Sequence, residues 1–231
     1  MLRRLAAFFT HIMQSYLPDA YLFAILLTFL SAILALIFTG SGFMKVITSW
    51  GDGIYGIIAF AFQMILILIT GHALALTPVV NRVLMAIAGI GNTPVKAGMI
   101  VAFVGGVCSW LNWGFGLIVS GLLAVEIAKR NREVDFPYLV AAGYSGFVVW
   151  HMGLSGSIPL VCATAKSAQN FIEKVTGAVV PVSDSIFQAF NLVPALTIIF
   201  TMPLLYALIH PKAKDVKLIS PEKLKEVESI T

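Results

Sequence analysis

Five long blocks of this sequence contain no charged side chain, and they limit the possible fold more than any other feature. No Asp, Glu, Lys or Arg occurs in residues 20–44, 53–81, 97–125, 136–165 or 185–211. Each block is at least as long as the roughly 20 residues that an α-helix needs to cross a bilayer. Solid apolar blocks predict helices, whereas a membrane β-barrel requires alternating residues. The sequence therefore predicts an all-α polytopic membrane protein.

The composition supports this class and excludes others. Of the 231 residues, 59% are hydrophobic and 11% are charged, against about 25% charged residues in soluble domains. The net charge of +4 predicts no nucleic-acid partner, because basic residues beside membrane helices set topology. Cys108 and Cys162 lie in apolar blocks and form no disulfide or metal pattern. The lipid bilayer is the expected partner, and neither a metal nor an organic cofactor is predicted.

The pattern divides the chain into three parts. Residues 1–16 predict an amphipathic helix at the membrane interface, residues 17–210 the transmembrane domain, and residues 211–231 a basic tail. Residues 43–50 predict a short amphipathic connection, and Gly51-Asp-Gly53 predicts a break after it. About four full spans are expected, at 21–39, 54–76, 136–165 and 187–210.

Residues 96–128 are predicted to form a re-entrant hairpin. As one straight helix, about 30 residues would extend some 45 Å, against a hydrocarbon core of about 30 Å. The segment is also too short for two full spans with a turn. Glycine, serine and asparagine concentrate at its centre and place the turn at 109–114.

Basic residues predict the orientation. With Arg3 and Arg4 on the cytoplasmic side, a hairpin at 96–128 keeps Lys129 and Arg130 on that side too. The loop 166–184 is then outside, and both termini are cytoplasmic.

Residues 144–159 are the most unusual stretch inside an apolar block. Histidine, two serines, two glycines and a proline occur together there, which predicts a discontinuous helix. Non-helical backbone at membrane depth is tolerated only where protein or a water-filled cavity surrounds it. The N-terminus of the following half-helix would bind a carboxylate, with Ser155, Gly156 and Ser157 as substrate-binding residues. The alternative is a proline kink with packing glycines.

The hairpin turn is the second candidate site. Asn112 offers donors and an acceptor, and with Trp113 it is predicted to contact substrate. Ser109, Asn112 and Gly114 are candidates for binding a cation through neutral oxygens. The alternative is a glycine-rich packing seam between helices.

Coupling to an ion gradient would have to use neutral groups or histidine, because no carboxylate lies in an apolar block. His151 is a candidate for proton coupling and for substrate binding, although a buried structural histidine is an equal alternative. His72 is a second candidate for proton coupling, with an interfacial position as its alternative. The coupling ion is therefore expected to be Na⁺ or H⁺.

The chain resembles the short-chain fatty acid transporter family. The similar motifs are Leu17-Pro-Asp19, Ser49-Trp-Gly-Asp-Gly53, Gly71-His-Ala-Leu74, Asn112-Trp-Gly-Phe-Gly116, Tyr144-Ser-Gly146 and Trp150-His-Met-Gly-Leu-Ser-Gly-Ser157. The resemblance implies secondary transport of monocarboxylates such as acetoacetate or butyrate across the inner membrane of a bacterium. It also implies an inverted-repeat transporter, of which this chain is one half. A second half or a homo-oligomer is then the expected partner.

Two other functions follow from the same residues. The first is a non-transporting half, or a truncated membrane scaffold, that needs a partner half. The second is an intramembrane serine protease, because Gly153-Leu-Ser-Gly156 matches the serine motif of rhomboid proteases. Such enzymes need a histidine on a later helix, and His210 is the one histidine in the sequence after this motif. No catalytic residue is therefore predicted.

Overall fold

The computed structural model describes residues 2–17, 19–167, 169–212, 216–220 and 222, and in this part of the chain no residue is in a β-strand. Five helical segments are long and apolar enough to cross a membrane: Ala20–Phe38, Phe43–Ala75, Pro94–Leu111, Phe136–Ala163 and Ala189–Ile209. The prediction of an all-α polytopic membrane protein is confirmed.

The α-helices in the described residues are α1 Leu2–Tyr16, α2 Ala20–Phe38, α3 Phe43–Ala75, α4 Pro78–Ile90, α5 Pro94–Leu111, α6 Trp113–Arg130, α7 Phe136–Ser145, α8 Ser157–Ala163, α9 Phe171–Thr176 and α10 Ala189–Ile209. Two 3₁₀ helices, Gly146–Met152 and Val182–Asp184, complete the order. The chain divides into two compact units, Met1–Leu66 and Ile67–Thr231.

The first unit contains α1, α2 and most of α3. The Asp19 side chain accepts a hydrogen bond from the Tyr21 N–H at 2.9 Å and so begins α2. Gly40, with φ +62°, lies in the turn that follows this helix. No residue of α2 is buried within the chain, which suits a helix whose surface faces lipid. The interfacial position of α1 remains a prediction.

Helix α3 differs from the predicted span. It begins at Phe43 and continues through Gly51 and Gly53 to Ala75, so the predicted break at Gly51-Asp-Gly53 is absent. A glycine inside a helix costs only about 1 kcal/mol. Leaving backbone groups unpaired in lipid costs several kcal/mol for each group, and a continuous helix avoids that larger cost.

The core of the second unit surrounds α5, which packs against α6, α7, α10 and the first 3₁₀ helix. Small residues let these backbones approach closely. A Cβ on Gly105 would lie 2.7 Å from the Gly143 carbonyl oxygen. The Tyr138 hydroxyl donates to the Tyr206 carbonyl oxygen at 2.6 Å and fixes α7 against α10.

Helices α5 and α6 form an antiparallel hairpin with a single residue, Asn112, between them. Ser109 packs against Gly116 near the turn, and the Asn131 Nδ2 donates to the Asn92 carbonyl oxygen at the open end. Each arm has 18 residues, or about 27 Å. Each arm is therefore longer than half of the roughly 30 Å hydrocarbon core.

The following span is discontinuous. Helix α7 continues as the 3₁₀ helix Gly146–Met152, residues 153–156 are not helical, and α8 begins at Ser157. On the other side of α8, the loop contains the short helices α9 and Val182–Asp184. Helix α10 then contains Pro194 and Pro203 within its length.

A short segment after α10 docks onto the second unit. The Phe136 N–H donates to the Lys217 carbonyl oxygen at 3.0 Å, and the Lys217 N–H donates to Asp135 Oδ2 at 2.6 Å. Ile219 is buried. Positions 213–215, 221 and 223–231 of the predicted tail lie outside the described residues.

Candidate functional site

The turn of the α5–α6 hairpin depends on the backbone and side chain of Asn112. This residue is extended, with φ −152° and ψ 121°, and it both ends α5 and begins α6. Its Oδ1 accepts a hydrogen bond from the Phe115 N–H at 3.0 Å, so the side chain is an N-cap. The predicted substrate and cation ligand thus already uses its oxygen to hold the turn.

The break in the discontinuous span has its own hydrogen bonds. The Gly153 N–H donates to the Trp150 carbonyl oxygen at 3.0 Å, and the Gly156 N–H donates to the Gly153 carbonyl oxygen at 3.0 Å. No side chain caps α8. This half-helix has only seven residues, and Pro159 has no N–H to offer in its first turn. Its dipole is therefore a weak part of any carboxylate site.

Two hydrogen bonds join the break to the hairpin turn. The Trp113 N–H donates to the Ser155 Oγ at 3.0 Å, and the Leu154 N–H donates to the Trp110 carbonyl oxygen at 2.8 Å. The structure thus brings together residues that are far apart in the sequence. Trp113 and Ser155, for example, are 42 positions apart. Both polar interruptions of the apolar helices lie at one place, which we call the junction.

Glycine is required at the junction by close packing. A Cβ on Gly153 would overlap the backbone of Trp110, and a Cβ on Gly71 would lie 2.9 Å from the Phe115 nitrogen. The last turns of α3 therefore also reach the hairpin turn. His72 follows Gly71 directly in α3 and is partly buried.

Aromatic rings cover one side of the junction. The rings of Trp113 and Trp150 lie 5.5 Å apart, and Phe147 stacks on Trp150 at 4.8 Å. The imidazole of His151 stacks on the indole of Trp150 at 4.0 Å and is otherwise exposed. Together, Trp113, Phe147, Trp150 and His151 form what we call the aromatic cluster.

Three buried polar atoms at or beside the junction have no hydrogen-bond partner among the described residues. They are Ser109 Oγ, Trp113 Nε1 and Trp150 Nε1. Ser109 is fully buried, and Trp113 is only 7% exposed. Buried polar groups are paired in most proteins, so each exception requires an explanation.

The remaining predicted residues have more modest surroundings. Ser109 packs against Gly116 in the hairpin seam. Gly114 faces Ile67 of α3, since its Cβ would lie 2.9 Å from an Ile67 methyl group. Ser157 begins α8 and is partly exposed, and Gly156 is buried. Their roles as ligands remain predictions.

Sequence reasoning missed Asn191 of α10. Its Nδ2 donates to the carbonyl oxygens of Met152 and Ile186, both at 2.9 Å. It therefore holds the end of the 3₁₀ helix immediately before the break. The available signal was an amide side chain in an uncharged, mostly apolar block that also holds Gln188, and nothing in the sequence indicated which carbonyl groups it would reach.

With this geometry established, comparison with known proteins identifies the family. A family model described as short chain fatty acid transporter matches residues 1–230. The chain belongs to this family.

Two curated relatives give the same result. A protein of Escherichia coli (strain K12) named "Putative short-chain fatty acid transporter" is 40% identical over 226 residues, which are 98% of this chain and 50% of the relative. A protein of the same name from Haemophilus influenzae (strain ATCC 51907 / DSM 11121 / KW20 / Rd) is 34% identical over 225 residues, 96% of this chain and 50% of the relative. The chain spans about half the length of these relatives. No solved structure matches it.

Proposed function

We propose that this family member acts in secondary transport of short-chain fatty acids, of the acetoacetate or butyrate type, across a bacterial inner membrane. The observation that carries the proposal is the hydrogen bond from the Trp113 N–H to the Ser155 Oγ. It joins the hairpin turn to the helix break, where backbone leaves the helix inside apolar segments. Such backbone is tolerated where it lines a substrate cavity, and transporters place discontinuous helices at their binding sites.

The substrate carboxylate would bind at the junction. Ser155, Ser157 and the Gly156 backbone would contact it from the break, and Asn112 and Trp113 from the hairpin turn. The ring of His151 lies against Trp150 and would provide a further donor. The serine, glycine, asparagine and tryptophan groups carry no formal charge, so their contribution would be hydrogen bonds from neutral donors to the ionised carboxylate.

Coupling is proposed to use Na⁺ or H⁺. The neutral oxygens of Ser109, Asn112 and the Gly114 backbone are the candidates for a cation, and His151 and His72 are the candidates for proton transfer. The buried Ser109 hydroxyl has no partner among the described residues, which supports its candidacy. Imposing a sodium gradient or a pH gradient separately distinguishes the two ions.

A second half completes the proposed transporter. Inverted-repeat transporters form the site at the interface of two repeats, and this chain corresponds to 50% of its relatives. Either a second polypeptide or another copy of this chain would supply the facing surface. The same observation favours the second candidate function, in which the chain alone is a non-transporting half.

Uptake of labelled butyrate into proteoliposomes tests both candidates. The chain is reconstituted alone and together with the half of the Escherichia coli relative that it does not match. Uptake in either preparation, reduced by Asn112→Ala and by Ser155→Ala at equal protein incorporation, is the expected result. Absence of uptake in both preparations would refute transport, and uptake only with the added half would establish that the chain is a dependent half.

A further inference from the structure

We infer that the indole N–H groups of Trp113 and Trp150 are the paired donors that bind the carboxylate of the substrate. This inference rests on the proposed function and names the donors within the same junction. Both Nε1 atoms are buried, and neither has a hydrogen-bond partner among the described residues. An indole N–H can only donate, and a buried indole usually has a partner.

The two indoles belong to the two elements that meet at the junction. Trp113 is the first residue of α6 at the hairpin turn, and Trp150 lies in the 3₁₀ helix before the break. Their rings are 5.5 Å apart and tilted by 43°. A carboxylate has two acceptor oxygens and no donor, and we assign one oxygen to each indole N–H.

The surroundings select an anion with a short apolar tail. The Phe147 ring is stacked on Trp150 at 4.8 Å and packs edge-on against Trp113 at 6.0 Å. It presents apolar surface next to both indole rings. The positive ends of N–H dipoles repel a cation, and hydrogen bonds to an ionised acceptor are roughly twice as strong as those between neutral groups. The pair therefore favours butyrate over the neutral amide of the same shape.

The ligand reaches these donors only after a local movement. Both Nε1 atoms are covered by protein, and the hydrogen bonds of Trp113 with Ser155 and of Leu154 with Trp110 hold the turn against the break. The carboxylate would reach the two indoles when the turn and the break separate. The described conformation is thus the closed one, in which the donors are shielded from water and lipid.

Indole NMR of the full chain provides the test. The protein is labelled with ¹⁵N-tryptophan and placed in lipid nanodiscs, and its indole N–H signals are recorded during titration with sodium butyrate. Four tryptophans are present in the sequence, and Trp50→Phe and Trp110→Phe assign two signals without altering the proposed pair. The Trp113 and Trp150 protons are expected to move downfield and saturate together, and the Trp50 signal is expected to stay unchanged. Butyramide at equal concentrations should produce a much smaller shift.

Substitution adds a functional measurement. Trp150→Phe and Trp113→Phe keep an aromatic ring but remove one donor, and each should raise the butyrate concentration for half-saturation about tenfold or more. Trp50→Phe is the matched control, since Trp50 is 56% exposed and outside the second unit. The NMR titration needs neither indole variant, so a variant that fails to fold does not prevent the test.

The outcomes separate this inference from the proposed function. Butyrate uptake without a shift of the Trp113 and Trp150 signals would overturn the indole site and leave transport standing. A saturating shift of both signals without uptake would support the indole site and count against transport. A shift of equal size with butyramide would overturn the carboxylate assignment.

Discussion

Gly153 lies directly against the backbone of Trp110, and its lack of a side chain permits this contact. A Cβ at this position would overlap the Trp110 carbonyl group, and a backbone group cannot turn aside as a side chain can. We expect Gly153→Ala to lower the free energy of unfolding by about 1–3 kcal/mol, the usual cost of overpacking. Denaturant titration in detergent measures this change.

Gly121 provides the control for that substitution. It lies inside α6, and a Cβ there would meet no atom within 4 Å. Gly121→Ala should raise the free energy of unfolding by about 0.5–1 kcal/mol, because alanine loses less conformational entropy in a helix. Equal stabilities of the two variants would contradict the packing assigned to Gly153.

Ser155 holds the turn and the break together through an acceptor oxygen. Removing that oxygen in Ser155→Ala leaves the Trp113 N–H without the partner it has at 3.0 Å. An unsatisfied buried donor costs about 1–3 kcal/mol, so the free energy of unfolding should fall by that amount. Thermal unfolding in detergent measures the loss.

Ser157→Ala is the matched control, two residues further along the chain. The Ser157 hydroxyl makes no hydrogen bond to the described residues, so its removal should change the free energy of unfolding by less than about 0.5 kcal/mol. A loss at Ser157 as large as that at Ser155 would show that stability does not depend on the Trp113 bond.

At the scale of helices, sequence reasoning succeeded where chain length and residue type constrained the geometry. The turn fell at Asn112 because 96–128 could not be one span, and the helix ended near Gly153 because the local residues disfavour a helix. It failed at Gly51-Asp-Gly53, where α3 continues. It also could not foresee that Trp113 would meet Ser155, because a packing partner depends on the relative rotation of two helices and not on either sequence pattern.

The segment 216–220 was likewise predicted only as part of a basic tail. The backbone N–H of Lys217 donates to the Asp135 carboxylate, and its carbonyl oxygen accepts from the Phe136 N–H. Every residue except proline has both groups, so the sequence could not indicate these bonds. Asp135 is 5% exposed and also accepts from the Tyr138 N–H at 2.7 Å. One carboxylate therefore both caps α7 and holds the segment, so the start of the discontinuous span is coupled to the chain after α10.

Asp135→Ala should release this segment. Loss of a charge-assisted hydrogen bond costs about 1.5–3 kcal/mol, and cleavage of a locally opened segment follows its opening equilibrium. Trypsin should therefore cut after Lys217 at least about tenfold faster in the variant. Mass spectrometry of the fragments over time measures the rate.

Asp184→Ala is the control for that experiment. Asp184 lies in the exposed 3₁₀ helix Val182–Asp184, and its Oδ1 accepts from its neighbour Ser183 at 3.1 Å. This substitution should leave cleavage after Lys217 unchanged. Unchanged cleavage in Asp135→Ala as well would show that the carboxylate does not hold the segment.

At the scale of the whole molecule, contacts within the second unit bring many of its basic residues to one end. The hydrogen bond between Asn92 and Asn131 places both open ends of the hairpin together, and Lys217 places the chain after α10 beside Asp135. Among the residues that the structure describes, one end of the unit therefore collects most of the lysines and arginines: Lys96, Lys129, Arg130, Arg132, Lys212 and Lys217. The loop at 164–188 carries only Lys166 and Lys174, together with Glu173 and Asp184.

This asymmetry predicts the orientation, because basic loops stay in the cytoplasm. In a chain carrying Cys108→Ser and Cys162→Ser, a membrane-impermeant maleimide should label Ala178→Cys in cells whose outer membrane is permeabilised. Glu133→Cys, which is also exposed, should be labelled only after the inner membrane is opened. Labelling of Glu133→Cys in cells whose inner membrane is intact would contradict this orientation. The expected labelling does not depend on how deeply the hairpin enters the membrane. The chain returns to its starting side whether the arms cross fully or turn back at mid-depth.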